Sequence, residues 1–272
     1  MRLSRERSWR IENWRARVCR SPNERVDGSM RSVVRIGTAG WAIPRQVAEH
    51  FPADGSTLAR YGSVFSAAEI NSIFHRTHQR ATLARWAASV PDDFRFAVKM
   101  PKRISHELRL AGTEQLLSIF ADEITCLGAK LGPLLLQLPP SLSYERTIVE
   151  PFFRLLRVRT AHALVCEPRH PTWFNGEADE LLASYGVVRA VADPARVPNA
   201  GRPAGTPELV YYRLHGTPRM YYSAYEGSFL HALAGEIVTL AAKEVWCIFD
   251  NTASGAAAAN ALDLTRRMQH LR

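Results

Sequence analysis

The sequence lacks the features that mark several large classes of protein. It contains four cysteines, Cys19, Cys126, Cys166 and Cys247, and no two of them form a C-x-x-C pair. This distribution argues against a disulfide framework or a zinc site and predicts reduced, buried thiols in a cytoplasmic protein. No apolar run approaches the roughly 18–20 residues that are needed to span a bilayer, so we predict no membrane partner.

Common cofactor motifs are missing as well. The chain has no G-x-G-x-x-G, no Walker A loop, and no H-x-H or H-E-x-x-H spacing. The first two absences weaken the case for a nucleotide-binding open sheet, and the others leave no metal site to predict. Ligands from separate strands could still converge on a metal, and the candidates are Glu69, Glu167, His215 and Asp250. The sequence therefore identifies no cofactor.

Positive charge is unevenly spread along the chain. The formal net charge is +9, and residues 1–29 contain eight arginines against four acidic residues. The remainder is only mildly basic, which favours anionic partners but does not by itself indicate nucleic acid. We predict that residues 1–30 are disordered or an over-extended start, with a basic arm for nucleic acid or membrane as the alternative. Residues 31–272 are assigned to one domain.

Short apolar runs alternate with helical patterns over the rest of the chain. Eight runs rich in β-forming residues occupy residues 33–37, 67–73, 94–99, 133–138, 163–167, 187–193, 209–215 and 245–250. Most of them are continuously apolar, as parallel strands covered on both faces are. Helical patterns lie at residues 81–89, 112–128, 176–186, 229–243 and 255–271. This alternation predicts an α/β fold, a single (β/α)8 TIM barrel, with an open doubly wound sheet as the alternative.

The predicted strands turn from apolar to polar at their carboxyl ends. In V-C-E-P-R-H, residues 165–170, an apparently buried run ends in Glu167, Arg169 and His170. Unpaired charges in a core are costly, whereas the carboxyl ends of barrel strands meet at one mouth. We therefore predict a shared polar pocket, whose other members are Glu69, Asn71, Lys99, Gln137, Arg213, His215, Asp250 and Asn251. A purely structural ion-pair network, such as Glu167 with Arg213 or Lys99, is the alternative.

Seven motifs follow one another in order along residues 31–272: RIGTAGW, FSAAEINSIF, FRFAVKMPKRISHE, LGPLLLQLPP, EPRHPTWF, YYRLHG and FDNTASGAAAANA. This set resembles the domain-of-unknown-function 72 family, also called YecE-like. The resemblance implies a TIM-barrel fold and implies no biochemical activity. Two positions depart from the family pattern: WAIPRQVAEHFPADG stands where a W…FYP motif is usual, and His75 stands where a tyrosine is usual. If those aromatics line the family's pocket, this chain has a modified ligand.

The predicted pocket could bind or process a phosphorylated or otherwise anionic small molecule. Arg213 and Lys99 would contact the anion, and Glu69 and Glu167 would serve as acid and base. His215 would shuttle protons, although a core histidine bonded to the backbone is the alternative. Lys99 could also form a Schiff base. The sequence leaves open whether the protein is an enzyme.

The segment after the eighth predicted strand adds a candidate anion site. In NTASGAAAANA, Thr252 or Ser254 is predicted to cap the last helix. Free N–H groups and the dipole at a helix start favour an anion, and many barrels hold phosphate near strands seven and eight. Capping without a ligand is the alternative.

Aromatic and basic residues near the same face support a second hypothesis, nucleic-acid binding or processing. Aromatic platforms beside a basic groove suit single strands or flipped bases. The same aromatics would also stack on a sugar ring or pack a lid. They are Trp41, Trp173, Tyr221, Tyr222 and Tyr225, with Lys102, Arg169 and Arg219 interleaved.

Overall fold

A single sheet of ten strands forms the centre of the protein. The structure is a computed structural model that describes residues 32–271, so the prediction for residues 1–30 lies outside the described residues. The strands are Val33–Ala39 (β1), Ala67–Ile70 (β2), Arg95–Lys99 (β3), Leu131–Gln137 (β4), Leu164–Glu167 (β5), Val187–Arg189 (β6), Val191–Asp193 (β7), Ala204–Gly205 (β8), Leu209–Leu214 (β9) and Glu244–Phe249 (β10).

Helices connect most of these strands. They are Thr57–Gly62 (α1), Ser72–His75 (α2), Arg80–Ala88 (α3), Glu114–Ile124 (α4), Arg146–Arg159 (α5), Gly176–Ser184 (α6), Gly227–Ile237 (α7) and Ala256–His270 (α8). Short 3-10 segments lie at Arg45–His50, Thr125–Lys130, Pro171–Trp173 and Pro198–Gly201, and a π-helical turn lies at Arg103–Glu107. The five predicted helical patterns are confirmed as α3, α4, α6, α7 and α8.

The sheet is curled and mostly parallel. Its order is β7-β9-β10-β1-β2-β3-β4-β5-β6-β8, and every pair is parallel except β6 with β8. Strands β2, β5 and β9 are buried at every position, which fits strands covered on both faces. The predicted α/β alternation is therefore confirmed, and the carboxyl ends of the parallel strands lie along one edge of the sheet.

The prediction of eight strands is wrong in the region of residues 187–205. The predicted run 187–193 is divided into β6 and β7, which use different neighbours: β6 pairs with β5, and β7 pairs with β9. Only Ala190 separates them, and its N–H donates to the carbonyl of Cys166 over 2.8 Å. A further short strand, β8, lies between the predicted strands 187–193 and 209–215.

The inner side of the sheet is apolar at one end and polar at the other. Tyr211 of β9 stacks on Trp246 of β10, with ring centroids 5.8 Å apart and planes 18° apart. Successive side chains of a strand alternate between its two faces, so Arg213 and His215 follow Tyr211 on the same side. The chain thus places a guanidinium and an imidazole above an aromatic layer, at the carboxyl end of the strands.

The described cysteines are free thiols. Cys166 in β5 and Cys247 in β10 are buried, as predicted, and Cys126 is half-buried in the segment Thr125–Lys130. Burial raises the pKa of both buried thiols far above the ordinary value, which keeps them protonated. Across residues 32–271, every helix is too short or too polar to cross a bilayer.

Candidate functional site

The guanidinium of Arg213 is the centre of the candidate site. Arg213 is fully buried, and it donates to Glu69 from two nitrogens: Nε to Oε2 over 3.0 Å and Nη2 to Oε1 over 2.5 Å. Nη1 donates to Glu167 Oε2 over 2.7 Å, and Nη2 also reaches Asp250 Oδ2 at 3.1 Å. One arginine therefore holds three carboxylates that come from β2, β5 and the end of β10.

Two further donors complete the carboxylate contacts. The hydroxyl of Tyr211 donates to Glu69 Oε2 over 2.8 Å, and Gln137 Nε2 donates to Glu167 Oε2 over 3.1 Å. The register of the sheet explains the second contact, because Gln137 and Glu167 are directly paired between β4 and β5. These donors satisfy buried charges that would otherwise be strongly destabilising.

His215 bridges two of the same carboxylates. Its Nδ1 lies 3.1 Å from Asp250 Oδ2, and its Nε2 lies 3.0 Å from Glu167 Oε1. Both nitrogens can donate only when the ring is protonated. Burial by itself lowers the pKa of His215, but attraction to Glu167 and the two hydrogen bonds outweigh it, so that this pKa is raised. The alternative of a histidine bonded to the backbone is therefore not what the structure contains.

Arg169 closes the network from the loop after β5. Its Nε and Nη2 lie 3.3 and 3.1 Å from Glu167 Oε1, and its Nη2 also lies 3.2 Å from the hydroxyl of Tyr221. Burial would raise the pKa of Glu167, but the charges of Arg213, His215 and Arg169 hold it well below the ordinary value. The pKa of Asp250 is lowered in the same way, against burial, by Arg213 and His215. Both groups are thus held as carboxylates.

Lys99, at the end of β3, is the exception to this pairing. Its side chain is largely buried, at 9% exposure, and its Nζ lies 4.0 Å from the ring centroid of Phe74. Among residues 32–271, no group accepts a hydrogen bond from this ammonium or forms a close ion pair with it. Burial, followed by repulsion from Arg213, lowers the pKa of Lys99 to about 8 against the attraction of the nearby carboxylates.

The ring of His106 lies near Lys99, Lys102 and Arg169. His106, in the turn Arg103–Glu107, packs edge-on against Phe74 with centroids 5.2 Å apart. Burial lowers the pKa of His106, and the positive charges of Lys99, Lys102 and Arg169 lower it further. We call Lys99, His106 and Arg169, together with the ring of Phe74, the rim cluster.

The space within the network itself is small. A cavity of about 10 Å³ lies beside Glu167, Arg169 and His215. That volume holds roughly one water molecule. This cavity is therefore too small for an organic substrate.

A larger open cleft lies at the carboxyl ends of β1 and β2. It has a volume of about 440 Å³ and is lined by residues 39–42, Thr57, Asn71 and Ser72. Within it, Trp41 packs edge-on against Trp86, with centroids 4.8 Å apart. Asn71 Oδ1 is buried and has no hydrogen-bond partner among the described residues. The cleft thus combines an aromatic wall with an unused acceptor.

Several predicted ligand contacts are packing residues in the structure. Trp173 is fully buried, and its Nε1 donates to the carbonyl of Leu142 over 2.9 Å. The hydroxyl of Tyr225 donates to Asp193 Oδ1 over 2.9 Å, and this side chain is also buried. His170 accepts from the N–H of Thr172 over 3.3 Å and caps a short turn. These contacts give each residue a structural task that needs no ligand.

The predicted cap of the last helix is wrong. Helix α8 begins after Gly255, which is left-handed at φ 80°, and no side chain caps it. Ser254 Oγ instead donates to the carbonyl of Tyr222 over 2.5 Å, and Thr252 is exposed. The N–H of Ala257 in the first turn donates to the carbonyl of Asn251 over 3.2 Å. A backbone carbonyl therefore occupies one of the donors that an anion would need.

Two further predicted contacts differ in exposure: the Asn251 amide is buried, and the Tyr222 ring is exposed. Asn251 is fully buried, and its Nδ2 donates to the carbonyl of Ser223 and to Asn260 Oδ1, each over 2.9 Å. Tyr222 is 44% exposed, with the Arg219 guanidinium 3.9 Å from its ring centroid. Within residues 32–271, no three His, Cys, Asp or Glu side chains are arranged to hold a metal ion.

The structure also adds residues that were not predicted. Phe74, His106 and Tyr211 all touch the site. Tyr221, which was predicted only as an aromatic residue of the nucleic-acid hypothesis, joins it through Arg169. Tyr211 lies inside an apolar strand, where nothing local distinguishes it from a core residue. His106 had a weak signal, because it follows Lys99 and Lys102 in the same motif.

Comparisons with known proteins match this chain to a family of unknown function. The family described as "Protein of unknown function DUF72" matches residues 35–272. UPF0759 protein YecE of Escherichia coli (strain K12) is 28% identical over 176 residues, which cover 63% of this chain and 62% of that protein. The match therefore spans less than two thirds of the relative's length.

Solved structures share the fold. A crystal structure of a DUF72 family protein from Enterococcus faecalis V583 has a TM-score of 0.74 at 21% identity, covering 87% of this chain and 96% of that chain. One from Thermotoga maritima MSB8 has a TM-score of 0.72 at 24% identity, covering 87% and 99%. At these identities the likeness shows the fold alone.

Proposed function

This chain belongs to the DUF72 family of proteins of unknown function, and from that premise we propose that it binds a small organic anion at the carboxyl ends of its strands. The anion would lie on the rim cluster, above the Arg213 network. Its organic part would extend along the mouth toward the cleft beside Trp41. The predicted preference for an anionic ligand is kept; Lys99 stays a contact as predicted, and Arg169 takes the place of Arg213.

The unpaired ammonium of Lys99 carries this proposal. Removing a charge from water without a counter-ion costs several kcal/mol, so such a group is a natural place for an external anion. The carboxylates nearby are already engaged: Glu69 and Glu167 accept from Arg213, and Asp250 also contacts it. With His215 protonated, two arginines and one imidazolium match these three carboxylates, and Lys99 is the surplus positive charge.

Arg169 supports the same location. Its Nε and Nη2 are used by Glu167 and Tyr221, whereas Nη1 makes no hydrogen bond within residues 32–271. A guanidinium nitrogen of this kind donates well to a carboxylate or a phosphate. The side chain is 13% exposed, so it is not sealed from solvent.

A thermal-unfolding assay tests the proposal. Inorganic phosphate, lactate and pyruvate would each be added to the full chain, against sodium chloride at the same ionic strength. An anion at 100 times its Kd adds about 2.7 kcal/mol to the free energy of unfolding and raises Tm. We expect at least one of the three to raise Tm more than sodium chloride does.

Paired variants localise the effect. Lys99→Met should abolish the Tm increase, whereas Lys130→Met should retain it. Lys130 is a suitable control because its side chain is also little exposed, at 12%, but it bonds Asp92 Oδ1 over 3.0 Å, next to the amino end of β4. Equal Tm increases in both variants would rule out Lys99 as the anion contact.

Nucleic-acid recognition remains the second candidate, and one exposed pair favours it. Arg219 and Tyr222 form an accessible cation–aromatic platform, but Trp173 and Tyr225 are buried and leave no row of stacking surfaces. Binding of a fluorescently labelled single strand of about 12 nucleotides, measured by fluorescence anisotropy, distinguishes nucleic-acid recognition from small-anion binding. Tight binding that falls steeply with salt and is lost in Tyr222→Ala would favour nucleic acid.

We also infer that the sheet closes into a (β/α)8-type barrel. Strand β6 pairs with β5 and strand β7 pairs with β9, so residues 187–193 bridge the two ends of the parallel sheet through Ala190. Hydrogen exchange provides the test, because amides at a free sheet edge exchange much faster than amides inside a sheet. Amides 187–193 should be protected as strongly as those of β1; rapid exchange there would indicate an open sheet.

A further inference from the structure

Lysine is scarce in this chain, which makes the position of each lysine informative. There are four, Lys99, Lys102, Lys130 and Lys243, against thirty-one arginines. Three of them lie near a carboxylate: Lys102 at 3.9 Å from Glu107, Lys130 at 3.0 Å from Asp92, and Lys243 at 2.5 Å from Glu208. Lys99 is the buried one, and it has no such partner among residues 32–271.

The surroundings of Lys99 favour a reactive amine. Its Nζ lies over the ring of Phe74, and Arg213 and its carboxylate partners are close enough to act on its charge. Burial and the charge of Arg213 lower the pKa of Lys99 to about 8. At pH 7 about a tenth of such amines are neutral and nucleophilic. The neutral fraction of an ordinary lysine at this pH is below about 0.1%.

We propose that Lys99 forms a Schiff base with a small anion that carries an aldehyde or ketone carbonyl, with 2-oxo acids as the simplest class. The proposal deepens the function proposed above and depends on it, because the anionic group would bind at Arg169 and so hold the carbonyl near Nζ. Binding of this kind supplies the proximity that makes imine formation efficient.

The chemistry balances within the site. The ammonium of Lys99 first releases a proton to solvent, and neutral Nζ attacks the carbonyl carbon, so that a C–N bond forms and the C=O bond becomes an alkoxide. The oxygen takes up two protons, one from the nitrogen and one from solvent, and leaves as water. The product is a protonated imine, which keeps the positive charge that Lys99 had. Neither an oxidant nor a reductant is consumed.

The carboxylates around Lys99 suit this product. Glu69, Glu167 and Asp250 attract the positive charge at Nζ. The protonated imine carries the same charge at the same atom, so these carboxylates stabilise it as well. Arg213 holds these carboxylates in place through its hydrogen bonds, which gives the network a positioning role in the reaction.

Reductive trapping tests the proposal directly. The full chain would be incubated at pH 7 with glyoxylate, pyruvate or dihydroxyacetone phosphate together with sodium cyanoborohydride, which reduces imines to stable amines. Intact-mass measurement and peptide mapping would then assign the modified lysine. We expect one lysine adduct per chain, at Lys99, with labelling at least about tenfold faster than at Lys130, because the neutral amine is more abundant.

Control variants distinguish specific labelling of Lys99 from nonspecific labelling of lysines. Lys99→Arg retains the charge and should remove the adduct, whereas Lys130→Arg should leave it unchanged; circular dichroism confirms that both variants fold. The rate at Lys99 should stop rising above pH of about 8, while surface lysines continue to gain. Equal labelling of all four lysines, or none at Lys99 with any of the three compounds, would overturn the proposal.

The two proposals fail in different ways. Lactate resembles pyruvate but has no carbonyl to condense, so it reports anion binding alone. A Tm increase with lactate but no adduct with pyruvate, glyoxylate or dihydroxyacetone phosphate would leave anion binding supported and remove the Schiff base. No Tm increase with any anion and no adduct would remove both.

Discussion

Arg213 illustrates how one residue can determine whether a buried site is stable. Its side chain is inaccessible to solvent and contacts three carboxylates that lie on different strands. A buried ion pair adds little net stability when intact, because desolvation opposes attraction. Removing one partner is different, because it leaves charges in the core with no counter-ion.

Arg213→Met should therefore destabilise the protein strongly. We expect a loss of about 3–5 kcal/mol in the free energy of unfolding, measured by urea denaturation at pH 7. Arg267→Met serves as the control, since Arg267 forms a partly exposed i,i+4 pair with Asp263 at 3.1 Å and should cost less than about 1 kcal/mol. Similar losses in both variants would show that the network does not depend on Arg213.

The raised pKa of His215 predicts how the contribution of this residue to stability changes with pH. Its pKa is raised in the folded protein, so its contribution to stability is fully present below the unfolded value near 6.5 and is lost as pH rises through the folded value. The free-energy difference between the natural chain and His215→Gln should therefore be larger at pH 6 than at pH 9. His231→Gln removes an exposed histidine and is the control. A difference that grows with pH would contradict the assignment.

At the scale of the elements, close packing between β4 and β10 limits which residues fit. A side chain at Gly132 of β4 would place its Cβ 2.8 Å from two ring carbons of Trp246, whose ring also stacks on Tyr211. Aromatic rings held on two sides move little, so the extra carbon has no room. This contact explains glycine in the middle of a strand, where it is otherwise unfavourable.

Two glycine substitutions should act in opposite directions. Gly132→Ala should lower the free energy of unfolding by about 1–3 kcal/mol through overpacking. Gly235→Ala, within helix α7, meets no atom within 4 Å and should raise it by up to about 1 kcal/mol through helix propensity. Thermal and urea unfolding of the two variants measure the contrast. An unchanged free energy of unfolding in Gly132→Ala would show that Trp246 can shift.

At the scale of the whole molecule, the Arg213 network joins strands from distant parts of the chain. Glu69 and Arg213 are 144 residues apart, and Glu167 lies 46 residues from Arg213. The network thus joins β2, β5, β9 and the end of β10 at one mouth. Loss of a charge from the Arg213 network should therefore lower the stability of the whole sheet.

Acid should remove that stabilisation. The pKa values of Glu167 and Asp250 are lowered by their cationic partners, so the stability that they contribute is present above their unfolded values, 4.5 and 3.8, and is lost as pH falls through the folded values. The difference in urea midpoint between the natural chain and Glu167→Gln should shrink below pH of about 4. Glu180→Gln, on the exposed face of α6, is the control. A constant difference down to pH 2 would contradict this prediction.

Much of the fold and part of the site could be predicted from local patterns. The run ending at Glu167 reads as a buried strand with a charged end, and β5 is such a strand. The split at Ala190 could not be predicted, because it depends on which neighbour each half meets across the sheet. Trp173 was predicted as a ligand contact and is buried, since a local sequence does not reveal which side of a loop faces the core.

The sequence by itself determined the α/β order, the family and the set of polar residues at the strand ends, because apolar periodicity reports which positions face the core. Only the tertiary structure decided how those residues pair. Arg213 takes Glu69, Glu167 and Asp250, and Lys99 is left without a partner among the described residues. The physical reason is that pairing depends on distances across the sheet between residues far apart in the chain, and the unpaired charge that results is the feature from which function is inferred.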